Sequence, residues 1–275
     1  MLWNSNKLYT PSNHYARKNA GYLKAIKRGA KVILDTDDDN TPNNKWRIRT
    51  EEVSGVKPAN DGWFNVYQEL QNSEIWPRGF SLKKVKSRNP PIVKSAEQKS
   101  SIQQGLADGE PDIDAICRLT VKYGIEFSYR ESVFLGKNQW CPFNSQSTWW
   151  FPKAFPLMYL PVFASFRMTD IWRSFVAQRC LWQLEEGVAF HSPSEVFQDR
   201  NEHDLMKDFN DEIDGYLKND LIVEILSDLK LGNDTCENLL LCYEELVEEK
   251  ILPQQEIDSL KQWIKDYEDA IRNLQ

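Results

Sequence analysis

Apolar positions recur along this chain in two rhythms, one helical and one extended. The helical rhythm is clearest at the C-terminus, where Ile257, Leu260, Ile264, Tyr267, Ile271 and Leu274 follow one another at intervals of three and four residues. That spacing predicts an amphipathic helix over 253–274, with Pro253 in the first turn, where a missing N–H costs nothing. Two further helices are predicted over 204–229 and 234–252, the second closed by Lys250. All three are acidic on their outer faces and carry no chemical motif. They read as a C-terminal helical region, 203–275, packed against the preceding part or reserved for a protein partner. Near the N-terminus, Tyr22, Leu23 and Ile26 share one face of a predicted helix over 16–27, with Gly29 as its stop. Ile113, Ile116 and Leu119 mark a short helix begun by Pro111. Ile171, Phe175 and Leu181 mark a longer one opened by Thr169 or Asp170 as N-cap. The extended rhythm appears in Val32-Ile33-Leu34, a β-branched run that reads as a buried parallel strand. It recurs in Gly62–Tyr67 and Gly187–Phe190. Residues 87–100, charged and centred on Pro90-Pro91, read as a linker. The aromatic and proline-rich stretch 140–166 reads as a pocket loop or a hydrophobic lid.

The chemistry concentrates directly after the first strand. Asp35, Asp37, Asp38 and Asp39 fall within five residues, and Asn40-Thr41-Pro42 ends any regular structure. Four carboxylates so close repel one another unless a cation sits among them. One reading is a solvated acidic turn. A calcium loop fits Asp35, Asp37 and Asp39, but it needs Gly where Asn40 stands and Glu where Trp46 stands. The third reading is a metal site at the carboxyl end of a strand, with Asp37, Asp38 and Asp39 holding Mg²⁺ or Mn²⁺, hard cations that take oxygen ligands.

Composition narrows the classes. At 275 residues the chain can bury one sizeable core plus an appendage, and 41% apolar with 27% charged residues is ordinary for a globular protein. A net charge of −7 argues against a nucleic-acid partner, which requires a basic footprint. The five cysteines are scattered and form no CxxC pair, so neither a zinc site nor a disulfide framework is expected. Reduced thiols point to the cytoplasm; the single sequon at Asn233 leaves a Golgi lumenal chain, following an N-terminal anchor, as the alternative. The apolar stretch 151–166 is too short and too broken by proline to span a bilayer.

Several blocks resemble a known family. Arg17-Lys18-Asn19-Ala20-Gly21, Ala25-Ile26, Gly29-Ala30 and the strand with its aspartates are similar to the passage leading into the DxD motif of GT-A glycosyltransferases. Trp76-Pro77-Arg78-Gly79-Phe80, the block from Gln104 to Ile116, and Thr169-Asp170-Ile171-Trp172-Arg173 follow in family order. The resemblance is closest to the STELLO glycosyltransferases and more distant to the reversibly glycosylated polypeptides, which include UDP-arabinopyranose mutases. It implies an α/β fold over 1–202, a mixed sheet flanked by helices, with the helical region behind it. It also implies a metal-dependent transferase using a nucleotide-diphosphate sugar, a UDP-sugar first, and a glycan or protein acceptor. In that pattern Asp37, Asp38 and Asp39 bind metal, and Asp35 beside them is a further cofactor-binding residue. Lys18 and Asn19 contact nucleotide, Arg78 and Arg173 lie near phosphate or acceptor, and Asp170 orients or deprotonates the acceptor. His191 and His203 are candidates for a further metal ligand. Only about thirty residues precede the strand, where the family places two or three βα units for base and ribose, so those strands are expected to be missing or rebuilt. Two alternatives stay open: a non-catalytic scaffold acting through its acidic helices, and a self-glycosylating mutase carrying sugar on Arg78.

Overall fold

A computed structural model of the chain describes residues 9–71, 74–121, 127, 130–198 and 204–274. In chain order the elements are α1 (Lys18–Lys27), β1 (Ile33–Thr36), β2 (Asn40–Pro42), β3 (Glu52–Pro58), β4 (Gly62–Trp63), α2 (Val66–Gln71), β5 (Ile92–Lys99), β6 (Ile102–Gly109), α3 (Ala115–Thr120), β7 (Ser132–Leu135), β8 (Gln139–Trp140), β9 (Ser147–Trp150), α4 (Thr169–Leu181), β10 (Val188–Gln198), α5 (Leu205–Asp228), α6 (Thr235–Glu248) and α7 (Gln255–Arg272). One mixed sheet runs β1-β9-β6-β10-β7-β3-β5, with β2 joined to the end of β10. The pairs β6/β10 and β3/β7 are parallel and the remaining neighbours antiparallel. Helices flank this sheet and three more close the chain, a GT-A-like α/β layout.

Three local expectations change. The Val32–Leu34 run does form β1, but it pairs antiparallel with β9 at the end of the strand order. A β-branched run favours extended backbone and says nothing about the direction of its neighbour. Residues 92–99, read as linker, form β5, an exposed edge strand paired with β3. Its lysines are the kind of residue that protects an edge from further pairing. Gly62–Tyr67 yields only two strand residues, because the Asn65 side chain accepts from the Gln68 N–H at 3.1 Å and starts α2 instead.

The core lies between the sheet and the helices, and α4 runs through it. Every residue of α4 is buried, including its charged ones. A helix enclosed on all sides must satisfy each polar group internally. Arg179 Nε donates to the Leu226 carbonyl at 2.7 Å, setting a cation at the C-terminus of α5, whose own last turn has no basic residue. The C-terminal helices share this core. Glu212 of α5 accepts from Ala115 N and Arg167 Nε, and Glu256 of α7 accepts from the backbone N–H groups of Val162 and Phe163. Neither carboxylate is on an outer face.

Gly79 fixes the loop after Arg78 onto α4. Its φ is +86°, and a Cβ there would lie 2.3 Å from Ile171 Cγ2, a stiff β-branched side chain in the core. Gly79→Ala is expected to cost about 1–3 kcal/mol, measured by urea unfolding. A neutral result would mean that α4 can move away from the loop.

Asp114 caps α3, accepting from Cys117 N at 2.7 Å and from Trp76 Nε1 at 2.6 Å. Burial pushes its carboxyl up to about 7, against those two N–H bonds. The folded value lies above the unfolded one of about 3.9. The protonated carboxyl therefore stabilises most fully below about pH 4, and that contribution is lost as pH rises through about 7. Wild-type stability should fall more steeply between those limits than that of Asp114→Asn. Parallel slopes in the two proteins would show that Asp114 does not titrate on folding.

Candidate active site

β1 ends in the acidic turn, and β2 begins at once after it. Thr36 Oγ1 donates to the Gln146 carbonyl at 2.9 Å and the Asn40 N–H to the Asp37 carbonyl at 3.3 Å, so the turn is held against the loop entering β9. Asp37, Asp38 and Asp39 then line a cavity of ≈190 Å³. Asp112 comes to its wall from the loop before α3, Asp170 from the first turn of α4, Gln146 from the loop entering β9 and Gln198 from the end of β10. Tyr15 and Phe166 stand edge to face beside it, 5.6 Å between ring centroids, and Phe166 is exposed.

Lys18 joins the strand to the turn, with Nζ 2.9 Å from Asp35 Oδ1 and 3.1 Å from Asp37 Oδ1. Asp35 is buried and also meets Arg173 Nη1 at 3.1 Å. Burial alone would raise the Asp35 carboxyl; Lys18 and Arg173 outweigh it and hold it below the usual carboxylate range. Asp37 shifts the other way. Burial raises its carboxyl, Lys18 opposes, and the charges of Asp35 and Asp170 add to the rise. Asp39 accepts from Gln198 Nε2 at 2.8 Å, and Asp38 is exposed at the tip of the turn.

In the cavity wall Arg78 clamps two carboxylates. Nε and Nη2 donate to Asp112 at 2.8 and 2.7 Å, while Nη1 and Nη2 donate to Asp170 at 2.9 and 3.0 Å. Nη1 also donates to the Arg167 carbonyl. All five N–H donors of the guanidinium are therefore engaged within the protein. Asp170, expected as an N-cap or as a catalytic carboxylate, makes no cap bond; its Oδ2 also accepts from Ser145 N at 3.1 Å.

Two expected contacts lie away from this wall. Asn19 is buried; its amide donates to the carbonyls of Tyr9 and Leu160 and accepts from Leu160 N, tying the N-terminal segment to the loop before α4. Arg173 sits a layer deeper, bound to Asp35 and to Ser145 Oγ at 2.7 Å, its guanidinium carbon 4.9 Å from the Trp150 ring centroid. His191 lines a different groove, and His203 lies outside the described residues. Gln146 comes from the stretch 140–166 expected to form a pocket loop, whereas Tyr15 and Gln198 stand in no motif and reach the wall only through the fold. Among the described residues, no group of three or more His, Cys, Asp or Glu side chains is gathered to hold a metal on its own.

Residues 167–272, from the turn before α4 to the end of α7, match the family model of the STELLO glycosyltransferases. Probable glycosyltransferase STELLO2 of Arabidopsis thaliana is 30% identical over 240 residues, which cover 79% of this chain and 31% of that protein. Probable glycosyltransferase STELLO1 of the same plant is 30% identical over 216 residues, covering 70% of this chain and 28% of that protein. The chain thus spans under a third of the length of these curated relatives. No helix among the described residues is long and apolar enough to cross a membrane. On these sequence matches the chain is STELLO-like.

Proposed function

We propose that this chain moves a sugar from a nucleotide-diphosphate donor, a UDP-sugar first, to a hydroxyl of a glycan or protein acceptor, with Mg²⁺ or Mn²⁺ at the acidic turn. The observation that carries this reading is the convergence of five carboxylates, Asp37, Asp38, Asp39, Asp112 and Asp170, on one cavity of a STELLO-like chain. Asp37 and Asp39 are the side chains suited to hold the ion, with diphosphate oxygens and water completing its shell. Bound there, the ion would neutralise charge on the departing nucleoside diphosphate. Lys18 keeps the aspartate turn anchored to β1 through Asp35 and Asp37. Phe166, exposed at the mouth of the cavity, offers a stacking face for the base. Asp170 would orient the acceptor hydroxyl. Arg78, on this reading, acts through the carboxylates it holds. A mutase carrying sugar on Arg78 would first have to free a buried guanidinium from five donor bonds. Free thiols, four of the five buried, support a reducing cytoplasmic setting as part of the proposal.

The test is calorimetric titration of the folded chain with UDP-sugars, with and without Mn²⁺. Binding heat that appears only with the metal supports a donor site. No heat with any nucleotide sugar, in protein shown to be folded, removes the transferase reading. One observation favours a scaffold in that event. Met206, Ile213, Leu217 and Leu221 leave an apolar stripe exposed along α5, spaced for one helix face.

A further inference from the structure

A second and larger cavity, ≈880 Å³, opens over β3, β5, β7 and the bulged part of β10. That is the size of a ligand site, roughly 300–1,000 Å³. Its charge runs against that of the whole chain, which is −7. Five cations line it with two carboxylates, Glu131 and Glu195. Lys94 pairs with Glu131, and Arg49 with Glu195 at 2.9 Å. Lys45, Arg47 and Arg130 make no ion pair among the described residues and face a cavity open to solvent. Guanidinium forks match the two oxygens of a carboxylate.

The floor asks for more than charge. Arg49 Nε and Glu195 Oε2 are both buried without a hydrogen-bond partner, one a donor and one an acceptor. Sugar hydroxyls satisfy both at once, since each can donate and accept. A phosphomonoester dianion, which has no O–H, can satisfy only the donor. Trp46, exposed and 5.6 Å from the Trp149 ring, adds an apolar platform for a pyranose face. His191 adds wall rather than charge. Gln103 Nε2 donates to the Thr50 and Ser100 carbonyls, so its Oε1 accepts from His191 Nε2 at 2.9 Å; Nδ1 then accepts from Ser132 Oγ at 2.7 Å. A neutral imidazole held at both nitrogens, its basicity suppressed by burial and then by Arg49 and Arg47, is a poor general base for Ser132.

We infer that this groove binds an acidic oligosaccharide, its uronate carboxylates on Arg47 and Arg130, its hydroxyls on Arg49 and Glu195 and a ring over Trp46. Glu195 of the groove and Gln198 of the acidic cavity lie three residues apart on β10, about 10 Å along an extended strand. An oligosaccharide bound in the groove is a candidate acceptor. Its use as the acceptor rests on the transferase reading; the binding itself does not.

Calorimetric titration of the full chain with trigalacturonate, maltotriose and inorganic phosphate separates the sources of affinity. Trigalacturonate should bind at least about tenfold more tightly than either of the others and weaken as salt is raised. Arg47→Ala/Arg130→Ala and Trp46→Ala alter exposed side chains, so folding should survive. The first should remove that preference, and both should leave the UDP-sugar titration unchanged. Asp37→Asn/Asp39→Asn should leave trigalacturonate binding intact, so failure of the donor site and failure of this groove are read separately. Equal binding of maltotriose, equal binding of phosphate, no binding at all, or trigalacturonate binding unchanged in the arginine variant would each overturn the inference.

Discussion

Arg78→Ala is expected to destabilise the fold by about 3–5 kcal/mol, because it strands two buried carboxylates that had shared one cation. Arg78, Asp112 and Asp170 are all at least nine-tenths buried, and the guanidinium is the link between a loop, the approach to α3 and the first turn of α4. Without it, Asp112 and Asp170 face one another in a low-dielectric wall. Arg78→Lys should rescue little, since an ammonium is a point charge with three donors and cannot grip two carboxylates bidentately. Adding Asp112→Asn to Arg78→Ala should recover part of the loss, because it removes one unpaired charge; the two changes will not add. Urea unfolding of the wild type, these three variants and Asp112→Asn alone measures this. A loss below about 1 kcal/mol for Arg78→Ala, the range of an exposed ion pair, would mean that the guanidinium is solvated and free to meet a phosphate. The stability result therefore bears on the chemistry.

That clamp shows which parts of the site the sequence could carry. The acidic turn was legible because its four aspartates fall within five residues and their repulsion is a local property. Asp170 was legible as a notable carboxylate at the start of a helix. Its partner was not, because Arg78 lies 92 residues earlier and Asp112 another 34 from Arg78, and no periodicity encodes such pairings. The same holds for Asn19. Its position beside Lys18 suggested a nucleotide contact, yet its amide caps backbone groups of Tyr9 and Leu160, the latter 141 residues away. Helices were legible wherever one face is apolar, as in α7. The α4 stripe was legible too, but not that the whole helix is enclosed, because its arginines and glutamine read as surface until their internal partners are known. β5 was lost for a converse reason: an edge strand exposed on both faces has the composition of a linker.

Replacing Asp37 and Asp39 together by asparagine should produce the largest functional loss. A cation at a transferring phosphate is worth several kcal/mol of charge stabilisation, which is two or more orders of magnitude in Mn²⁺-dependent donor binding or turnover. The fold should not suffer. Asp37 already carries a raised carboxyl, from burial first and then from Asp35 and Asp170 against Lys18, so a neutral amide relieves repulsion there. Asparagine at 39 can keep the bond from Gln198 Nε2 through its carbonyl oxygen. Thermal unfolding should therefore show equal or higher stability alongside lost donor binding, a combination that a merely structural role for the turn would not give. The raised carboxyl also sets a pH dependence. Proton and cation compete for Asp37, and only the ionised form binds metal. Mn²⁺-dependent donor affinity in the wild type should therefore fall as pH drops through the raised Asp37 value, earlier on acidification than an ordinary aspartate would allow. The single variant Asp37→Asn, with Asp39 intact, should bind more weakly and lose that dependence. Donor affinity that is unchanged in the double variant would leave the acidic turn as a surface feature and move the search for the donor site to another part of the cavity wall.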